Sequence, residues 1–159
     1  MKKIISLAVV CLLMFSLCAC NIIGGANSKT SIQTGKNYQV GDTVEVSNVE
    51  VTFIGVTKST GPDGAVYLGC EFEVANKTTE ALAISSILSF AGYCDGYACG
   101  VTLNEDAEAT SPFDGEIPIA GKVKGTIIYK VAPDWKELQV HFKPFVLQDN
   151  AVIFVVTNN

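Results

Sequence analysis

The residues whose types and spacing could do chemistry are mostly cysteines, and the most informative of them lie near the start. Leu17-Cys18-Ala19-Cys20 closes an apolar run that begins behind Lys2 and Lys3. A small residue directly before a cysteine, with leucine two places further back, is the pattern of a bacterial lipobox. There the thiol is alkylated by a diacylglycerol in the membrane, and a peptidase then cuts on its amino side. Cys20 is the expected lipidation site and the first residue of the mature chain. Cys18 is a rival acceptor, but the bulky Leu17 would then precede the modified residue. An ordinary signal peptide cleaved nearby, with Cys20 a bystander, is the alternative.

Cys94 and Cys99 enclose four residues that include Asp95-Gly96, so a short tip could bring the two sulfurs together. In an exported protein this reads first as a disulfide, with Cys70 pairing to one of them, or free thiols, as the alternatives. Redox catalysis is disfavoured because the spacing is not Cys-x-x-Cys. His141 is the only histidine and falls on the polar phase of its strand, a solvated position. No metal site is expected, since zinc needs three or four converging ligands and copper carriers draw on histidine and methionine. A Ser-His-Asp triad lacks a Gly-x-Ser-x-Gly elbow, so no enzyme activity and no cofactor are expected. Glu105, Asp106, Glu108, Asp114 and Glu116 gather in one acidic stretch. Their spacing fits no EF-hand, and a solvated loop is the simpler reading than calcium. Asn76-Lys77-Thr78 satisfies the N-glycosylation pattern but reads as the loop after a strand.

Three segments position these residues. The apolar run from Ile4 to Leu17, at roughly 14 residues, is shorter than the ~20 needed for a permanent span, so residues 1–19 read as a lipoprotein signal peptide. Residues 20–37, rich in Gly, Ser, Thr and Asn, read as a lipid-anchored flexible tether. Residues 38–159 are one domain of ordinary size. Without its leader the chain carries 9 basic against 16 acidic side chains. Nucleic acid is therefore not an expected partner, because backbone binding needs clustered Lys and Arg.

From Thr43 onward the apolar pattern has period two, the signature of half-buried strands. Val44 and Val46, then Val49, Val51 and Phe53, predict the first two strands. Gly61-Pro62-Asp63-Gly64 predicts a turn, since Pro presets one dihedral and Gly tolerates positive ones. Val66, Leu68, Cys70, Phe72 and Val74 predict the clearest strand. Leu82, Ile84, Leu88 and Phe90 resume the alternation. Later come Lys122 to Val131, with its lysines on the wet face, and Leu138, Val140 and Phe142. Ala151 to Val156 is apolar in both phases, so this strand is either central and covered on both sides, which the alternation elsewhere favours, or partly exposed as a contact surface. About seven to nine short strands imply an all-β, immunoglobulin-like antiparallel β-sandwich.

Three pieces of this domain resemble a known group. They are Tyr38-Gln39-Val40-Gly41-Asp42-Thr43-Val44, Val74-Ala75-Asn76-Lys77-Thr78, and the glycine-bearing strand Gly121 to Val131 ending in Ala132-Pro133. Their order and spacing are similar to the immunoglobulin-like domain of unknown function (DUF4352-type) found in lipoproteins of Gram-positive bacteria. The resemblance implies a two-sheet sandwich at the cell surface and supplies no functional residues. The cysteine pair at the tip departs from the plain Asp-Gly turn more usual in that family.

The expected function is that of a membrane-anchored extracytoplasmic lipoprotein, held by lipid on Cys20 to the outer face of the cytoplasmic membrane. Two acyl chains suffice for stable anchoring. The sandwich is expected to bind an envelope or extracellular protein through loops at one end, with Tyr93, Tyr97, Glu105 and Asp106 as contact residues, because exposed tyrosine offers large area at low entropic cost. Alternatives are an extracellular protease inhibitor with a stiffened loop, or a structural envelope component.

Overall fold

The computed structural model describes residues 30–31, 36–102 and 113–158. Among them the chain forms β1 (Thr30–Ser31), β2 (Asn37–Tyr38), β3 (Thr43–Val46), β4 (Val49–Thr60), β5 (Val66–Asn76) and β6 (Leu82–Ile84). There follow β7 (Phe90–Cys94), β8 (Tyr97–Cys99), β9 (Gly115–Ile117), β10 (Lys122–Val131), β11 (Glu137–Phe142) and β12 (Val152–Thr157). Two five-stranded sheets carry most of them, in the orders β1-β3-β4-β5-β10 (sheet A) and β2-β12-β11-β7-β8 (sheet B), while β6 and β9 form a separate pair. Several strands are only two or three residues long, which is why the number exceeds the sequence expectation.

The alternation read from the sequence decides which side chains face inward. Val44, Val46, Val49, Val51 and Phe53 are buried from β3 and β4, as are Leu68, Cys70, Phe72 and Val74 from β5. Leu138, Val140, Phe142, Val152 and Phe154 are their counterparts in sheet B. An aromatic seam joins the layers. Phe53 stacks on Phe72 with centroids 4.6 Å apart, and Phe72 meets Phe90 at 5.3 Å and Phe154 at 5.4 Å across the sandwich. Aromatic pairs at such distances are worth ~0.5–1.5 kcal/mol each beyond the area they bury.

Two hairpins turn on two residues with positive φ, the geometry whose twist matches the flanking strands. Ser47 and Asn48 have φ 51° and 60°, and Asp95 and Gly96 have 49° and 84°. Asp95 is braced as well as turned: its carboxylate accepts hydrogen bonds from the backbone N–H groups of Lys136 (3.1 Å) and Glu137 (2.9 Å). Within β4 the register shifts between Phe53 and Gly55, a bulge that lets the strand continue to Thr60 beside β5.

Four sequence expectations change in detail. Leu88 does not continue a strand; residues 85–89 form a turn between β6 and β7 that leaves it exposed. Asp114 ties that turn down, accepting from the Ser86 N–H at 3.0 Å and the Ser86 hydroxyl at 2.9 Å. These bonds hold the Asp114 carboxyl below the usual carboxylate range, the Ser86 backbone bond leading. The last strand is not covered on both sides. Val152 and Phe154 are buried, but Ile153 and Val155 are only half-buried, because β12 lies inside sheet B with no layer of the described residues over its outer side. Glu116 belongs to β9 rather than to an irregular loop. Within the segment read as a tether, Thr30–Ser31 pairs with β3 and Asn37 with Ile153 of β12.

Asn76 shows why the glycosylation pattern is a structural one. Its amide nitrogen donates to the carbonyls of Glu80 (2.8 Å), Ile117 (2.9 Å) and Pro118 (3.2 Å), and its oxygen accepts from the Thr78 N–H. At 1 % exposure the side chain is a buried clasp for three chain segments and is closed to a glycosyl donor.

Candidate interaction surface

The two outer faces of the sandwich differ in chemistry. On sheet A, Lys122 meets Glu73 at 2.7 Å, Lys124 meets Glu71 at 2.9 Å, and Lys77 bridges Glu45 and Glu50. Lys130 pairs with Asp63 at 3.1 Å at the end of the same face. The register explains the ladder. Lys122 lies opposite Ala75 and Lys124 opposite Glu73, so these two lysines of β10 reach diagonally to Glu73 and Glu71 of β5. The remaining outward positions carry threonines, with the Thr43 and Thr52 hydroxyls 2.9 Å apart, and, toward the Lys130 end, Tyr67, Gly69 and Ile128.

On sheet B the outward positions are Ala91 and Tyr93 from β7, Glu137, Gln139 and His141 from β11, and Ile153 and Val155 from β12. Among the described residues, no ion pair joins side chains on this face. Instead a file of hydrogen bonds runs along β11: Gln139 donates to Glu137 at 2.7 Å, and its carbonyl oxygen lies 3.2 Å from Nε2 of His141. The Tyr93 ring rests against the His141 ring with centroids 4.7 Å apart. Partial burial, with Lys143 nearby as the smaller cause, lowers the His141 pKa and so favours the neutral imidazole. The result is a half-buried, largely uncharged patch of Tyr93, Gln139, His141, Ile153 and Val155.

The structure separates residues that the sequence placed together. Tyr93 lies opposite Ala98, and Cys94 lies opposite Tyr97, so the two tyrosines project to opposite sides of the β7–β8 hairpin. Tyr97 is 80 % exposed because the short edge strand carries its inward phase past the end of the core. Glu105 and Asp106 lie outside the described residues, as does Cys20.

Cys94 and Cys99 are free thiols, as is Cys70. Cys99 lies opposite Gly92 and Cys94 opposite Tyr97, so the two cysteines sit diagonally. Diagonal neighbours in an antiparallel pair are ~7–8 Å apart, beyond the usual Cα separation of an unstrained disulfide. All three thiols face inward and are poor nucleophiles. Burial pushes Cys70 up to about 12 and Cys99 up to about 11, and raises Cys94 as well. Gly92 makes the space for this packing, since a Cβ there would meet the Tyr129 ring at 2.5 Å and Cys99 Sγ at 2.9 Å.

A shallow cleft of about 230 Å³ follows the uncovered edge of β7, lined by Ile87, Phe90, Tyr93, Cys99 and Val101. It offers apolar surface and no convergent acid, base or nucleophile. Among the described residues, no group of three or more His, Cys, Asp or Glu is placed to hold a metal ion. No sequence signal marks Gln139; for Ile153 and Val155 the apolar double phase of residues 151–156 is the signal, which fits burial or a contact surface, and the half-buried side chains favour the second.

Comparison with known structures gives the same architecture at low identity. The chain matches a candidate lipoprotein of Bacillus subtilis (ycdA) with a TM-score of 0.63 and 17 % identity, covering 72 % of this chain and 38 % of that protein. This chain therefore spans about four-tenths of that protein's length. It matches an uncharacterised β-sandwich protein of Clostridium difficile with a TM-score of 0.53 and 15 % identity, over 79 % of this chain and 98 % of the other. A candidate lipoprotein of Staphylococcus aureus matches with a TM-score of 0.54 and 13 % identity, over 74 % of this chain and 88 % of the other. Among curated proteins, none matches this chain in sequence. A family model does match, over residues 38–152, and by it the chain belongs to the family described as a domain of unknown function, DUF4352.

Proposed function

We propose that this protein is an extracytoplasmic lipoprotein, anchored through Cys20, whose sandwich is a non-catalytic module that binds another envelope or extracellular protein through the outer face of sheet B. The lipobox and the lipoprotein descriptions of structural neighbours support the anchoring. The contrast between the two outer faces carries the binding reading. Every outward lysine of β10 is neutralised by an acid, whereas the sheet B face presents Tyr93, His141, Gln139, Ile153 and Val155 with no charge pairing. Protein interfaces are depleted in charge at their centre and enriched in tyrosine, which is the composition of that face. The protease-inhibitor alternative depended on a cross-linked tip, and with free thiols there it is not the reading taken.

The test is capture from envelope extracts by the native protein, by Tyr93→Ala and by Lys124→Ala. A partner retained by native protein and Lys124→Ala but lost on Tyr93→Ala supports the reading. Equal recovery by all three baits removes the sheet B face from consideration.

A further inference from the structure

The outer face of sheet B is complementary to itself. Its outward file along β11 reads Glu137, Gln139 and His141, and Lys143 continues the same phase, so an acid stands at one end and a base at the other. Glu137 accepts one hydrogen bond from Gln139, and among the described residues no ion pair engages Lys143. The register sets two rows across this file. Gln139 stands between Val155 and Tyr93, and His141 stands between Ile153 and Ala91.

A two-fold rotation about an axis that lies in the plane of the face and crosses β11 at Val140 exchanges those rows. Glu137 then meets the second copy's Lys143, and Gln139 meets its His141. On the flanking strands Val155 covers Ile153, and the broad Tyr93 ring covers the small, exposed Ala91. Acid on base, amide on imidazole, apolar on apolar and large on small all follow from one operation. Twisted sheets packed face to face cross at about −30°. Glu137 and Lys143 each stand three residues from the axis, about 10 Å, so that crossing offsets them by only about 5 Å, within reach of a lysine side chain. The other two-fold in that plane, parallel to β11, sets Glu137 on Glu137 and Lys143 on Lys143, a juxtaposition of like charges that is costly.

The same axis suits two anchored copies. The bridge between Val101 and Tyr129 ties the β8 side of sheet B to the β10 side of sheet A, so β1 and β2, where the chain enters, share the opposite side. An axis running across the strands leaves the entering chains of both copies at one end of it, as lipid on Cys20 in a single bilayer requires. Five strands at ~4.8 Å spacing and ~20 Å of strand length give about 500 Å² per copy and about 1,000 Å² for the pair, the small end of specific interfaces. Confinement to one membrane raises the effective concentration and offsets so modest a contact.

We infer that the protein bound by the sheet B face is a second copy of this chain, packed face to face about a two-fold axis that crosses β11 at Val140. This rests on the sheet B reading and the anchoring proposed above. Isologous pairs of this kind are the commonest protein assemblies.

The test uses the full chain recovered with its native modification from bacterial membranes, half of it labelled with heavy nitrogen, in phosphatidylcholine and phosphatidylglycerol vesicles. A water-soluble carbodiimide condenses a carboxylate with an amine only where the two already touch. Glu137 and Lys143 lie about 20 Å apart within one copy, so an amide between them that mixes the isotopes reports the pair. That cross-link is the expected product, and Ala91→Trp, which overfills the place the partner's Tyr93 takes, should lower its yield about tenfold. Absence of the mixed-isotope amide overturns the second copy as partner, and an undiminished yield in Ala91→Trp overturns the axis. Capture from envelope extracts separates this from the reading beneath it. Loss of a captured protein on Tyr93→Ala without the cross-link sinks only the self-pairing, whereas capture indifferent to Tyr93→Ala and no cross-link sink the face altogether. Intact mass of the same sample reads the anchor, and Cys20 without a diacylglycerol sinks the anchoring while the cross-link still decides the pair.

Discussion

The outer faces of sheets A and B are built from strands of the same alternating pattern, yet one is insulated and the other is open. On sheet A the charged outward positions of β5 and β10 are acids and lysines in register to pair, so Lys122 and Lys124 are satisfied within the face. On sheet B the outward positions are aromatic, amide, imidazole and aliphatic groups, half-buried against one another, with the Glu137 carboxylate at one end taken up by Gln139. Exposed ion pairs hold water and add little stability. A largely uncharged face loses less on desolvation, which suits it to a contact. The fold tolerates both, because the inward phase supplies the cohesion.

That cohesion is the first thing to break. Phe72→Ala should cost about 3–5 kcal/mol, since it empties the ring that both sheets pack against. Urea denaturation should show both faces lost in a single transition; an unchanged midpoint would dismiss the aromatic seam as the join. Next is a pair of glycines. Gly92→Ala forces a methyl into the buried Tyr129 ring and should cost about 1–3 kcal/mol. Gly69→Ala, on the outer face of sheet A, meets mainly the Thr57 and Thr126 side chains, which can give way, and should cost less. Equal losses at the two positions would mean that the faces do not differ in packing constraint.

The third effect is the pH dependence that His141 gives to sheet B. The His141 pKa is lowered by burial from an ordinary value of 6.5, so the unfolded chain binds the proton more readily than the folded one. Stability should therefore be full above that value and fall as pH drops through it toward the folded pKa, and His141→Gln should flatten the profile. Urea midpoints on either side of that window would show it, and an identical slope in the variant would remove His141 as the cause. The smallest effect belongs to sheet A. Lys124→Gln should change stability by no more than about 0.5 kcal/mol, less still in high salt. A larger loss would mean that the ladder is structural rather than a solvated coat.

Much of this architecture is legible in single residues. Val44 to Phe53, Val66 to Val74 and Leu138 to Phe142 alternate cleanly, and each alternation matches its burial. The Asp95-Gly96 turn is equally readable, because few residues tolerate positive φ. Leu88 was misplaced because its even spacing continues the run from Ile84, while the Asp114 bonds that hold Ser85 and Ser86 in a turn come from 28 and more residues away. The Cys94 and Cys99 pair shows a matching limit. Their separation along the chain suggests proximity, but the hairpin register sets them on a diagonal.

What the residues determined alone was which side of each strand meets water, since apolar burial acts through a two-residue period that any reader of the chain can count. Which strands became neighbours was decided by long-range pairing, and with it which outward side chains share a face. Tyr93 meets His141 across 48 positions of sequence, and Lys124 meets Glu71 across 53, only because strand order and register bring them together.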